Sequence, residues 1–168
     1  MTRAYLGIGT NIERDKHAQV AITQLQRLGS HLQVSTIYRC PAAGFNGAEF
    51  YNFVIGLETD LTLSQFAAQL RALELAYGRP ENAQKQQDRT LDIDILLFGD
   101  VIRQQSPQLP RADIFKFNFV LQPLYELCPE LLVPGEGRTI EQIWQQQFLS
   151  IGGMSNLTAI SLPLSDDY

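Results

Sequence analysis

The stretch that most constrains this chain is Arg89-Thr90-Leu91-Asp92-Ile93-Asp94-Ile95-Leu96-Leu97-Phe98-Gly99, an apolar run interrupted by two carboxylates. A polar segment precedes it and Gly99-Asp100 follows, so its length and flanks read as a β-strand near the middle of a sheet. Strand side chains alternate, which puts Asp92 and Asp94 on one face and Leu91, Ile93 and Ile95 on the other. Neighbouring ionised carboxylates repel, and burial raises their cost further. A cation between them removes the conflict; oxygen ligands with positions left open for water and phosphate suit magnesium. The plainer alternative has one aspartate capping a turn and the other solvated. Arg79 and Arg89 favour a phosphate-handling site, because a guanidinium offers several fixed donors to phosphoryl oxygens.

Around this strand the chain alternates short strands with two solid helical patterns. Ala4 to Gly9 reads as a first strand with glycines where a neighbour or ligand comes close. Ala18, Ala21, Ile22, Leu25 and Leu28 fall on one helical stripe, with Gly29 placed as its C-cap. Leu32 to Tyr38 reads as a second strand, followed by a turn-rich loop from Arg39 to Gly47. Phe50 to Glu58 is a third strand, with Phe50, Asn52 and Val54 on one face. An amide on an apolar face needs partners: loop backbone serves, and so does the edge of a ligand.

Leu63 to Tyr77 is the clearest helix, burying Phe66, Leu70, Leu73 and Tyr77 and ending at Gly78. Glu74 borders that stripe, within reach of Arg71 one turn earlier. The polar segment from Arg79 to Asp88 has little to pack and is expected to be a mobile loop able to close over a substrate. Val101-Ile102 is expected in a small edge hairpin, Phe115, Phe117, Phe119 and Val120 as a buried anchor, and Leu121 to Leu127 as a short helix around Pro123. Thr139 and Gln142 have capping-box spacing ahead of a last helix with Ile140, Ile143 and Trp144 inward. This order predicts an α+β fold, a ferredoxin-like antiparallel sheet with packed helices and a C-terminal extension. One domain is expected over residues 1–148, with a tail at 149–168 that adds an edge strand or docks on a partner.

A chain of 168 residues supports one core rather than two full domains. A formal net charge of −5 argues against a general nucleic-acid binder, which would carry a basic field. No apolar run is long enough to span a bilayer, and Cys40 and Cys128 lack metal-site spacing, so a cytoplasmic protein with reduced thiols is expected. His17 and His31 are expected as surface or packing residues rather than bases.

Gly7-x-Gly9-Thr10-Asn11, Tyr38-Arg39-Cys40-Pro41, Phe50-Tyr51-Asn52, Glu74 with Gly78-Arg79, and above all Arg89-Thr90-Leu91-Asp92-Ile93-Asp94 resemble the 6-hydroxymethyl-7,8-dihydropterin pyrophosphokinase family, from Ala4 to about Phe148. The resemblance implies transfer of pyrophosphate from ATP to the hydroxymethyl group of a reduced pterin, in folate biosynthesis. It implies Asp92 and Asp94 as ligands of two Mg2+ ions, Arg79 and Arg89 as phosphate grips, and Glu74 on the nucleotide side. Cys40, Pro41, Phe50, Asn52 and Phe119 are implied in the pterin wall. The implied partners are ATP and the pterin, without nucleic acid or membrane, in a monomer whose tail is able to mediate association.

Several residues depart from the family pattern. Arg111 stands at a histidine position, Ala112 at an aromatic and Phe117 at an arginine, while Gln86-Gln87-Asp88 replaces Trp-Gly-Pro. Cys40 replaces threonine and Phe50 replaces tyrosine. The expectation is a retained fold and metal centre with weaker nucleotide affinity and turnover, Arg111 standing in for the charge lost at Phe117. The competing readings are an inactive relative that binds pterin, nucleotide or protein, and a phosphoryl-transfer enzyme for another heterocycle or another nucleotide.

Overall fold

The computed structural model describes residues 1–42, 45–78 and 90–163. Six strands form one antiparallel sheet: β1 (Thr2–Thr10), β2 (Ser30–Val34), β3 (Ile37–Cys40), β4 (Phe50–Thr59), β5 (Asp92–Phe98) and β6 (Thr158–Ile160). The order is β5-β1-β4-β3-β6, with β2 also paired to β4. The helices are α1 (Arg14–Leu25), α2 (Leu63–Ala76), α3 (Asn118–Leu127) and α4 (Ile140–Gln147), so the fold is α+β with the strand order of a ferredoxin-like unit. Among the described residues no helix is long and apolar enough to cross a membrane.

Alternation along the strands builds a core on each face. Ala4, Leu6 and Ile8 of β1, Phe53, Ile55 and Leu57 of β4, and Ile93 and Ile95 of β5 pack with Ala18, Ala21 and Leu25 of α1 and Phe66 and Leu70 of α2. Tyr5, Val54, Leu96 and Leu97 face the other way, against Val120, Leu121 and Leu124 of α3 and Ile140 and Ile143 of α4. The sheet is therefore covered on both faces. Thr62 and Thr139 cap α2 and α4, each exchanging side-chain and backbone bonds with a glutamine three residues on, which satisfies two of the free N–H groups at each helix start.

Several details differ from the sequence expectation. The acidic strand β5 lies at an edge of the sheet, paired with β1 alone among the described strands. Among the described residues its outer side is met by single bonds rather than a strand: Glu74 of α2 accepts from Ile93 N–H at 2.9 Å, and Arg111 N–H donates to the Leu96 carbonyl at 3.0 Å. An edge strand whose polar groups are capped this way offers no template for further pairing at those positions. The expected second strand is two, β2 and β3, broken at Ser35, which bonds Val54 through both its backbone and its hydroxyl. Gly29 lies beyond the end of α1 and does not cap it: a Cβ there would lie 2.2 Å from the Glu58 carbonyl oxygen, so close approach of the chain to β4 is what requires glycine. The small edge hairpin expected at Val101-Ile102 is instead an isolated antiparallel bridge between Arg103 and Leu109.

The register of β5 changes once. Leu6 opposes Ile95 and Tyr5 opposes Leu97, leaving Leu96 as an extra residue in a β-bulge. Leu96 and Leu97 consequently both pack into the core under α3 and α4.

Candidate active site

The pairing places a shallow furrow on the α3 side of the sheet. Asp92 and Asp94 of β5 stand opposite Gly9 and Gly7 of β1, and Gly9 in turn stands opposite Asn52 of β4. The middle strand thus contributes no side chain between the carboxylates and Asn52. A Cβ at Gly9 would lie 3.1 Å from Asn52 Oδ1 and 3.6 Å from the Phe50 ring. Gly9 therefore makes a bare floor with acid on one side and an amide and an aromatic ring on the other, while the Leu96 side chain fills the space over Gly7.

The acidic wall is electrostatically costly by itself. Burial, then the neighbouring charge of Asp92, push the Asp94 carboxyl up from the usual carboxylate range to about 7. Arg111 pulls the other way, its Nη2 lying 3.6 Å from Asp94 Oδ2, without cancelling the rise. The same guanidinium donates from Nε to Asp113 at 3.1 Å. Arg111 is seated by its backbone bond to the bulge carbonyl of Leu96, so a kink in the strand aims the cation at the aspartate two residues away. Glu74 is buried behind this wall, holding Ile93 N–H. Two partly buried carboxylates offer hard oxygen ligands side by side, and that donor set fits a divalent cation such as magnesium.

On the opposite wall Asn52 Nδ2 donates to Cys40 Sγ at 2.8 Å, so the amide partner is a thiol rather than loop backbone. Phe50 is met edge-on by Phe45, ring centroids 6.1 Å apart. Phe119, in the first turn of α3, stacks on Phe117 at 4.9 Å.

A family model described as 7,8-dihydro-6-hydroxymethylpterin-pyrophosphokinase (HPPK) matches residues 5–129. The chain belongs to the HPPK family. It is 34% identical over 137 residues to the 2-amino-4-hydroxy-6-hydroxymethyldihydropteridine pyrophosphokinase of Aquifex aeolicus, covering 80% of this chain and 85% of that one. The Pseudomonas aeruginosa protein of the same name is 33% identical over 150 residues, covering 84% and 89% of the two chains. Among solved structures, HPPK-DHPS from Plasmodium falciparum superposes with a TM-score of 0.70 at 12% identity, over 95% of this chain and 47% of that one. The chain thus spans about half the length of that HPPK-DHPS structure, and the likeness there is one of fold.

Of the residues singled out in sequence, Asp92, Asp94 and Arg111 meet at the acidic wall with Glu74 behind it. Phe50, Asn52 and Cys40 meet at the other wall. Pro41 is exposed just after β3. Arg79 and Arg89, with the polar loop between them, lie outside the described residues. His17 is buried against Ile12 and Tyr77, and His31 is exposed beside Glu58. Sequence reading missed Asp113, which shares Arg111 with Asp94. Its signal was the Arg-x-Asp spacing from Arg111.

Proposed function

We propose that this chain transfers the pyrophosphoryl unit of ATP to the hydroxymethyl group of 6-hydroxymethyl-7,8-dihydropterin, giving AMP and the pterin diphosphate of folate biosynthesis. The observation that carries the reading is the glycine-floored furrow, with Asp92 and Asp94 on one side and Asn52 and Phe50 on the other, in a chain of the HPPK family. ATP is the co-substrate of that family.

Asp92 and Asp94 would hold Mg2+, which when bound offsets phosphate charge and orients the triphosphate. Two protein carboxylates leave most of an octahedral shell to water and phosphate oxygens, as that ion prefers. Arg111, fixed through Leu96 and Asp113, presents charge to the phosphates at the same wall. Arg79 and Arg89 take the phosphate-gripping role that their motif implies. Asn52 reads the pterin edge, and Phe50 and Phe119 supply ring faces for it. The substrate hydroxyl oxygen attacks the β-phosphorus and gives up its proton to solvent, the bond from that phosphorus to the oxygen bridging to the α-phosphate breaks, and AMP leaves with that oxygen. The protein's contribution is to line these atoms up and to match the charge.

The test is AMP and pterin diphosphate formation from the pterin, ATP and magnesium, beside Asp94→Asn. Product that disappears in the variant supports the reaction and its metal wall. No product at saturating substrates refutes the reaction. A binder without turnover is the second reading; it is favoured by Phe117, which is engaged with Phe119 at a position where the resemblance puts an arginine.

A further inference from the structure

A primary amide has two ends of opposite chemistry, a carbonyl oxygen that accepts and an NH2 that donates. Whatever holds one end of Asn52 therefore decides what the other can ask of a ligand. Nδ2 is held by Cys40 Sγ at 2.8 Å, while Oδ1 is the atom nearest to where a Gly9 Cβ would stand, 3.1 Å away. Cys40 is 2% exposed, and its Sγ lies 3.9 Å from the Tyr38 carbonyl oxygen. Sulfur thus accepts from the NH2 end of Asn52, which leaves Oδ1 as the end turned toward Gly9. Burial drives the thiol up to about 11, so sulfur stays neutral at physiological pH. The strand that carries Cys40 is pinned in turn: Glu126 of α3 accepts from the Tyr38 hydroxyl and from Thr36 N–H.

We infer that Cys40 is a positioning residue that sets the polarity of Asn52, so that Oδ1 faces the furrow and selects heterocycles offering an N–H donor at that edge. This rests on the pterin reading above and adds to it a determinant of specificity. Cys40 need not touch the substrate; it acts through the amide.

The experiment is a titration of 6-hydroxymethyl-7,8-dihydropterin into the full chain with magnesium and a non-hydrolysable ATP analogue, for the unaltered protein, Cys40→Val, Cys40→Ser, Asn52→Ala and Cys40→Val/Asn52→Ala. Cys40→Val is expected to weaken pterin binding about tenfold, the scale of one buried hydrogen bond, with affinity for the ATP analogue unchanged. Cys40→Ser keeps an acceptor and should stay within about threefold of the unaltered protein. In the Asn52→Ala background the cost of Cys40→Val should vanish, because the two residues act as one unit. The inference is overturned by unchanged pterin binding in Cys40→Val, by equal loss in Cys40→Ser, by equal weakening of both ligands, or by a cost that persists without the amide. Failure of the unaltered protein to bind the pterin would overturn the proposed function itself; binding that ignores both substitutions overturns only this inference.

Discussion

Replacing Asp94 by asparagine should make the metal-free protein more stable while removing its activity. Burial and the Asp92 charge raise the Asp94 carboxyl from 3.8 to about 7. A carboxyl raised on folding contributes stability that is whole below its unfolded pKa and is lost as pH rises through the folded value. Roughly three pH units at about 1.4 kcal/mol each set a ceiling of about 4 kcal/mol at pH 8. The side chain is 32% exposed, and solvent screening brings the expected cost down to about 1–2 kcal/mol. Asp94→Asn keeps the shape and removes the charge, so in a chelator at pH 8 its Tm should exceed that of the unaltered protein by about 3–6 °C. At pH 5 the folded carboxyl is already largely protonated, and the gain should shrink to about a third. Adding magnesium with an ATP analogue should invert the order, since bound ligand stabilises only the chain that can hold it. Thermal unfolding at both pH values reads all three. A variant no more stable than its parent at pH 8, or a gain independent of pH, would refute the account of the acidic wall.

Four further outcomes follow from the same geometry. Magnesium affinity, measured by calorimetry with an ATP analogue, should fall as pH drops below about 7, because Asp94 must lose its proton to bind metal. Arg111→Ala should weaken ATP binding about tenfold; no change in ATP affinity would sink its proposed phosphate role. Gly9→Val should leave the chain folded but raise the pterin KM, since its side chain enters the furrow against Asn52 and Phe50. Gly29→Ala should instead destabilise the fold by about 1–3 kcal/mol with little effect on the KM of the surviving enzyme, because its Cβ meets the Glu58 carbonyl.

Local chemistry made much of this readable before any coordinates. The alternation in Leu91 to Phe98 put both aspartates on one face, and the same rule put Phe50, Asn52 and Val54 together. Thr62 was found only in the structure as the cap of α2, whereas the Thr139 box was plain from spacing. The errors came from partners distant in sequence. Nothing in the acidic run says that Glu74 and Arg111 bond its outer edge; that depends on contacts 19 and 15 residues away. Gly29 resembles a helix cap because glycine serves caps and close approaches alike, and the Glu58 carbonyl that distinguishes them sits on another strand. The thiol behind Asn52 was equally hidden, since Cys40 becomes its neighbour only through the pairing of β3 with β4.

The bulge at Leu96 has a consequence for how sequences of this kind can vary. With a two-residue side-chain period, a slip of one position would turn Asp92 and Asp94 into the apolar core and Ile93 out to water. The extra residue sits toward the far end of β5, against Tyr5 and Leu6, and so indexes the strand from its exit rather than its entrance. The uninterrupted pairing from Asp92 to Ile95 then holds both carboxylates opposite Gly9 and Gly7, and the irregularity falls only beyond them. One residue added or lost between Asp94 and Leu97 therefore falls at the bulge, the one place in β5 where the ladder already carries an unpaired residue, and it would shift the aspartates or their apolar neighbours by one position on the sheet.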